Sequence, residues 1–289
     1  MLIGFIGDVH GCVFQCIAAI ATWQQRLGRH IDLLIQVGDL GAYPDLSRLD
    51  EASRSHLEAD PSQAGFSRLL KLSGPQADAI NTMCNQFNLP IYFIRGNHED
   101  FEWLAKLPVD SKSGTATVDR FGLFRYVPDG AIMEFGNAKI AFLGGAEECT
   151  GGAALDMDVY EKFMNLTPGS IDILVTHEGP YGSSIGYHGD THGSPLMTKL
   201  LEHLKPMFQI AGHAHCESGP ERYHQTTYLG LNILVASRKW HPDAVGIEPG
   251  CLALLDTELD TLTPVRSEWF GEFEAPFNFD KWYSQWSAK

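Results

Sequence analysis

The stretch Ile91-Tyr92-Phe93-Ile94-Arg95-Gly96-Asn97-His98-Glu99 decides the reading of the fold. An apolar run of strand-favouring residues stops at Gly96, and three polar residues follow where the chain has to leave its sheet. Open α/β folds place their chemistry at such strand ends. The same arrangement of apolar strand, glycine and aspartate occurs in Ile3-Gly4-Phe5-Ile6-Gly7-Asp8-Val9-His10-Gly11 and in Leu33-Leu34-Ile35-Gln36-Val37-Gly38-Asp39. Ile173-Leu174-Val175-Thr176-His177 and Phe208-Gln209-Ile210-Ala211-Gly212-His213-Ala214-His215 end in histidines instead. Five strand ends thus present side chains able to bind a metal.

Between these ends the pattern is that of a βαβ opening followed by an excursion. Val13, Ile17, Ile20 and Trp23 approximate a helical period from Cys12 to about residue 27, with Gly28 as the stop. Residues 41–88 turn polar, with helices expected at 63–72 and 75–87, too long for a bare connection. We read them as a helical insertion near the site, and Asp45, Asp50, Glu51, Glu58 and Asp60 as its solvated face. Residues 131–135 and 139–143 flank Gly136-Asn137 as a hairpin, and 156–165 and 195–204 read as helices, the second capped by Ser194. The runs at 171–175, 207–211, 226–236, 251–256 and 261–265 favour strands, enough for a second sheet packed on the first. Trp, Phe and Tyr crowd residues 269–289, which are expected to form a packed cap on a single domain spanning 1–289. The glycine-rich segment 144–152 lacks the spacing and lysine of a nucleotide-binding loop.

Composition narrows the function. A formal charge of −15, from 36 acidic and 21 basic residues, opposes non-specific attraction to a nucleic-acid backbone and disfavours a nucleic-acid partner. No apolar run approaches the ~18 residues of a bilayer span, so no membrane partner is expected. Met1 leads straight into a strand with no basic segment or cleavage site, which points to the cytoplasm. The six cysteines, widely spaced apart from Cys12 and Cys16, read as reduced thiols packed like small apolar groups, with Cys216 set apart by its place beside His215. No protein partner can be named from the sequence.

Asp8, His10, Asp39, Asn97, His177, His213 and His215 together offer carboxylate, amide oxygen and imidazole, a mixed set suited to Mn, Fe or Zn rather than to calcium. They exceed the needs of one ion and would serve two that share a carboxylate. The ordered set Gly-Asp-x-His-Gly, Gly-Asp, Gly-Asn-His-Glu, a histidine after a strand, and Gly-His-x-His, across residues 7 to 215, resembles the calcineurin-like metallophosphoesterase superfamily. The resemblance implies an α/β class, a four-layer α/β/β/α sandwich of two mixed sheets, and a cofactor of two divalent or mixed-valence transition-metal ions. It assigns Asp8, His10 and His215 to one metal, Asn97, His177 and His213 to the other, and Asp39 to both. It makes His98 the catalytic histidine and Glu99 its orienting neighbour.

Phosphate-ester hydrolysis follows. Two ions held about 3.5–4 Å apart activate a bridging hydroxide for in-line attack and clamp the phosphoryl oxygens, while His98 serves the leaving oxygen. Arg95 offers a guanidinium suited to phosphate, with a place inside the fold as its alternative. His188 and His192 in the glycine-rich loop, and Arg238 after the strand ending at Ser237, are the other candidate substrate contacts. After Asp39 the chain reads Leu40-Gly41-Ala42-Tyr43-Pro44, without the Asp-Arg pair of the superfamily's protein phosphatases, and Asp8 stands where its lariat-debranching members carry cysteine. A small phosphorylated substrate, a phosphomonoester or nucleotide, is therefore expected. A phosphodiester, a dinucleoside polyphosphate, or a non-catalytic metal-containing interaction module are the alternatives.

Overall fold

The computed structural model describes residues 1–86, 90–185, 191–236 and 246–288. From the N-terminus run β1 (Leu2–Ile6), α1 (Val13–Leu27), β2 (Leu33–Gln36), α2 (Glu51–Ala59), α3 (Gly65–Leu70), α4 (Pro75–Gln86), β3 (Ile91–Phe93), α5 (Phe101–Leu104), β4 (Ala116–Thr117) and β5 (Phe124–Tyr126). The hairpin β6 (Ile132–Phe135) and β7 (Ala138–Leu143) comes next, then α6 (Met157–Met164), β8 (Ile173–Thr176), β9 (Ser184–Ile185), β10 (Thr191–His192), α7 (Pro195–Leu204) and β11 (Phe208–Ala211). The chain closes with β12 (Ser218–Tyr223), β13 (Thr226–Gly230), β14 (Leu252–Asp256), β15 (Thr261–Pro264) and α8 (Phe279–Trp286).

Two mixed sheets carry the fold. One has the order β15-β14-β1-β2-β3-β5-β4 and the other β12-β13-β11-β8-β7-β6. In the first, β1, β2, β3 and β5 are parallel. In the second, β7, β8, β11 and β13 are. Ile3, Phe5, Ile35 and Ile94 from one sheet and Phe142, Val175, Ile210 and Leu229 from the other form a buried cluster between them. The first sheet's other face packs against α1, α3 and α4, with Phe279 of α8 at the edge. The second sheet's other face packs against α6 and α7. The result is the four-layer α/β/β/α sandwich. Strands buried on both faces have no polar side to show, which is why they read as continuous apolar runs.

Local chemistry ends the elements where the sequence marks them. Gly28 closes α1 in the left-handed conformation at φ 64°. Ser194 caps α7, its side chain accepting from the Met197 N–H at 3.0 Å. The insertion differs from expectation in one element: helix α2 precedes the anticipated helices. It buries none of its residues, so it carries no apolar stripe to betray it. Its start is set by Asp50, whose carboxylate accepts from the Ser53 N–H at 2.8 Å.

None of the six cysteines is in a disulfide. Burial pushes the Cys16 thiol from 9.0 up to about 12. Cys16 therefore stabilises the fold fully below pH 9 and loses that contribution as the pH rises through 12. We expect iodoacetamide at pH 8.5 to leave Cys16 unlabelled in the native protein and to label it in urea, read by peptide mass mapping. Phe142, fully buried between the sheets, should cost about 3–5 kcal/mol when replaced by alanine. Removing the exposed Tyr181 ring should stay within about 0.5 kcal/mol. Urea midpoints measure both.

Candidate metal centre

Because β1, β2 and β3 are parallel, and β8 and β11 likewise, their C-terminal ends gather at one edge. The turns that follow carry Asp8, Asp39, Asn97, His177 and His213. Two of them need glycine for close approach: a Cβ on Gly96 would collide with the Asp39 carboxylate, and one on Gly212 with that of Asp8. Asp8 in turn accepts the His213 N–H on both oxygens, at 3.2 and 3.1 Å.

The backbone here is held away from ordinary geometry. His10, Asp39, His213 and His215 have φ of 44°, 54°, 67° and 53°, and among the described non-glycine residues only Lys205, His224 and Asp260 share that region. Each such residue costs on the order of 1–3 kcal/mol and persists where its surroundings over-determine it. They do so here. The Asp39 carbonyl accepts from Val9 and His10 N–H at 2.9 and 2.8 Å. Its Oδ1 accepts from Asn97 and His98 N–H at 2.7 and 2.8 Å. The buried Gln36 amide donates to the carbonyls of Gly7 and Gly38, tying the two aspartate turns together.

Lone pairs converge at this edge. His177 Nδ1 lies 3.0 Å from the Val37 carbonyl, so that nitrogen carries the proton and Nε2 is the acceptor. Nε2 nevertheless stands 2.9 Å from Asn97 Oδ1 and 3.5 Å from Asp39 Oδ2. A proton or a cation between them reconciles these three atoms. On the other side His10 Nε2 lies 3.1 Å from His215 Nε2 and 3.6 Å from Asp39 Oδ2, and His215 Nε2 lies 3.0 Å from Asp8 Oδ2. Potential ligand atoms of Asp8, His10, Asp39 and His215 all fall within 4.8 Å of one another. Asp39 Oδ2 is buried, makes no hydrogen bond, and stands between the two groups. Mixed oxygen and imidazole donors around an unsatisfied carboxylate oxygen fit first-row transition metals. The His213 ring packs edge-on against His177, with centroids 5.0 Å apart.

Burial and neighbouring charge compete in the electrostatics. It pulls His213 down to about 3 and His10 well below its usual range, leaving both imidazoles neutral, the form that binds metal. Burial would lower His177 as well, but the Asp39 charge outweighs it and lifts the group to about 9. Burial alone would raise Asp39, yet the imidazoles of His177 and His98 hold it well below the carboxylate range.

His98 sits at the mouth, its ring centroid 5.3 Å from that of His10. The structure corrects the expected role of Glu99, whose buried carboxylate accepts from the backbone of Leu40 and Ala42 and does not meet the imidazole. The group on His98 is Asp50, whose Oδ2 lies 2.8 Å from Nδ1. Tyr43 Oη and Ser53 Oγ donate to the same oxygen at 2.6 and 2.8 Å. Burial would lower His98, but Asp39 and Asp50 together raise it to about 9. Asp50 was hidden in the sequence. Its spacing to Ser53 marks a helix start, but nothing in the local pattern puts that helix over the site.

The Arg95 expectation is also corrected. Its guanidinium faces away from the cluster, with Nε 2.7 Å from Asp129 Oδ2 and its terminal nitrogens on the carbonyls of Gly152 and Ala154 at 2.6 and 2.9 Å. With its donors directed there, it clamps the end of β3 to the segments after β5 and β7. His192 is exposed on the small β9–β10 ribbon, and no contact joins it to the cluster among the described residues. His188 and Arg238 lie outside the described residues.

The profile of the calcineurin-like phosphoesterase family matches residues 1–217. Among solved structures, TT1561 of Thermus thermophilus is similar at 10% identity and a TM-score of 0.50, covering 92% of this chain and 98% of that one. A 5'-nucleotidase precursor from the same organism aligns at 11% identity and a TM-score of 0.41, covering 100% of this chain and 58% of the other. No curated protein matches the chain.

Arg95 and Asp129 are 11% and 8% exposed, so removing one partner strands a buried charge. We expect Arg95→Ala to lose about 3 kcal/mol in urea denaturation, with Arg95→Lys recovering only part because lysine lacks the planar fork. A variant of unchanged stability would refute the clamp.

Proposed function

Because the chain belongs to the calcineurin-like phosphoesterase family, we propose that it hydrolyses small phosphomonoesters, nucleotides included, at a centre of two transition-metal ions. The observation that carries this reading is Asp39 Oδ2, a buried acceptor with no hydrogen bond, 3.6 Å from His10 Nε2 and 3.5 Å from His177 Nε2. In this reading Asp8, His10 and His215 hold one ion and Asn97, His177 and His213 the other, with Asp39 shared. Such a pair, of Mn, Fe or Zn, supplies Lewis acidity toward phosphoryl oxygens and an activated water at neutral pH.

The chain's own groups do the rest. Asp50 occupies His98 Nδ1, so Nε2 is the nitrogen that exchanges a proton with the leaving oxygen. Tyr43 and Ser53 fix the Asp50 carboxylate and therefore the plane of the ring. Glu99 pins Leu40 and Ala42, which keeps the Asp39 turn closed under the substrate. Helix α2 standing over the mouth supports a small ester in preference to the surface of a folded phosphoprotein. Cysteines without disulfides support a reducing compartment such as the cytoplasm. No described helix is long and apolar enough to cross a membrane.

The test is turnover by protein loaded separately with Mn, Fe or Zn, against nucleoside monophosphates, sugar phosphates, phosphodiesters, dinucleoside polyphosphates and phosphopeptides. Monoesters should be the preferred class. His98→Ala should keep its metal and lose about 10²- to 10⁴-fold in kcat. Asp39→Asn should lower metal stoichiometry by elemental analysis. Hydrolysis of none of these esters with any metal would defeat the enzymatic reading, and a preference for diesters would replace the monoester one.

A further inference from the structure

We propose that the cavity walled by Arg95, Tyr126 and the segment 151–156 is a second ligand site, binding an uncharged aromatic ring that carries a hydrogen-bond acceptor, as a nucleoside does. Its volume of about 460 Å³ is that of a small-molecule site. The edge that carries the metal centre carries this cavity as well. The centre draws on the turns after β1, β2, β3, β8 and β11, and the cavity on the chain after β3, β5 and β7. Because β3 pairs with β5 and β8 with β7, the cavity is the next position along that edge.

Tyr126 is the residue that calls for a ligand. It is 8% exposed, and its ring packs against Phe93 with centroids 5.5 Å apart, a place that phenylalanine would fill equally well. The hydroxyl needs another account. Burial pushes it up, with Asp129 and Glu99 adding to the shift and Arg95 opposing it, so it keeps its proton at neutral pH and is a donor. It has no acceptor among the described residues. A ligand that displaces solvent there must therefore bring one. The rest of the lining selects for a ring without charge. Phe101 and Leu104 of α5 and Leu155 add apolar surface beside the Tyr126 ring. Arg95 and Asp129 neutralise each other at 2.6 Å. The other charge among the described lining residues, Asp156, is exposed and accepts from the Asp158 and Val159 N–H groups. An anion gains no unpaired cation from these groups, and an uncharged ring needs none.

The probe is adenosine, titrated calorimetrically into the full wild-type chain, Tyr126→Phe and Ala105→Trp, with the thermal midpoint measured on each. Tyr126→Phe keeps the ring and removes only the donor, so it should bind adenosine about tenfold more weakly at an unchanged midpoint. Ala105 is an exposed lining residue, and a larger side chain there should obstruct the cavity and weaken binding at least as much. Benzamide, an uncharged ring with a carbonyl acceptor, should compete with adenosine, and benzoate, its anionic counterpart, should not. Binding here needs no turnover at the metal centre, so it is read separately from hydrolysis. A Kd for Tyr126→Phe within about twofold of wild type would overturn the assignment. So would no adenosine binding by the wild type, or benzoate competing as well as benzamide. If Tyr126→Phe shifts the midpoint, Ala105→Trp decides, and a Kd within about twofold of wild type overturns the site.

Discussion

Asp39 is held from both ends, and the site depends on that. Its carbonyl receives the N–H groups of Val9 and His10, and its Oδ1 those of Asn97 and His98. One residue therefore joins the turns after β1, β2 and β3, and it does so in a left-handed conformation that aspartate tolerates better than most side chains. With backbone and Oδ1 both engaged, Oδ2 has a single direction left, into the space between His10 and His177. Replacing any of the three turns would loosen the other two, because these Asp39 hydrogen bonds run between them.

Much of this was legible in the chain alone, and the reason is burial. Strands covered on both faces must be apolar throughout, so Leu33–Gln36 and Ile173–Thr176 stand out as runs, and the polar residue that ends each marks the exit from the sheet. Gly96 and Gly212 could be read as punctuation, although their purpose, room for the Asp39 and Asp8 carboxylates, needed the third dimension. Arg95 was misleading for the same reason. Adjacent to the Asn-His pair, it offered a phosphate contact, but side-chain direction at a strand end is set by what lies behind it, and behind it lies Asp129, in a distant turn that local sequence does not connect to it.

The acidic neighbour of His98 was misread by a different route. Glu99 adjoins the histidine in the chain, yet the backbone turn points its carboxylate at Leu40 and Ala42. Asp50 reaches the ring from a helix whose residues are all partly or fully exposed. Hydrophobic periodicity reports only what is buried. An element whose contribution is polar and directed at a cleft leaves no periodic trace, so its acidic residues resemble any solvated face.

This division has a consequence for how the centre is tuned. The metal-facing groups belong to strand ends whose positions are locked by two sheets and the core between them, so altering one disturbs the fold at large. The groups on His98, Asp50 and Ser53, belong to the start of α2, which buries none of its residues. Changes along its site-facing side alter how His98 is held without a comparable cost in packing. The strand-end cluster and the carboxylate that holds His98 are thereby carried by separable parts of one chain, the first by the sheets and the second by a surface helix that meets them at His98.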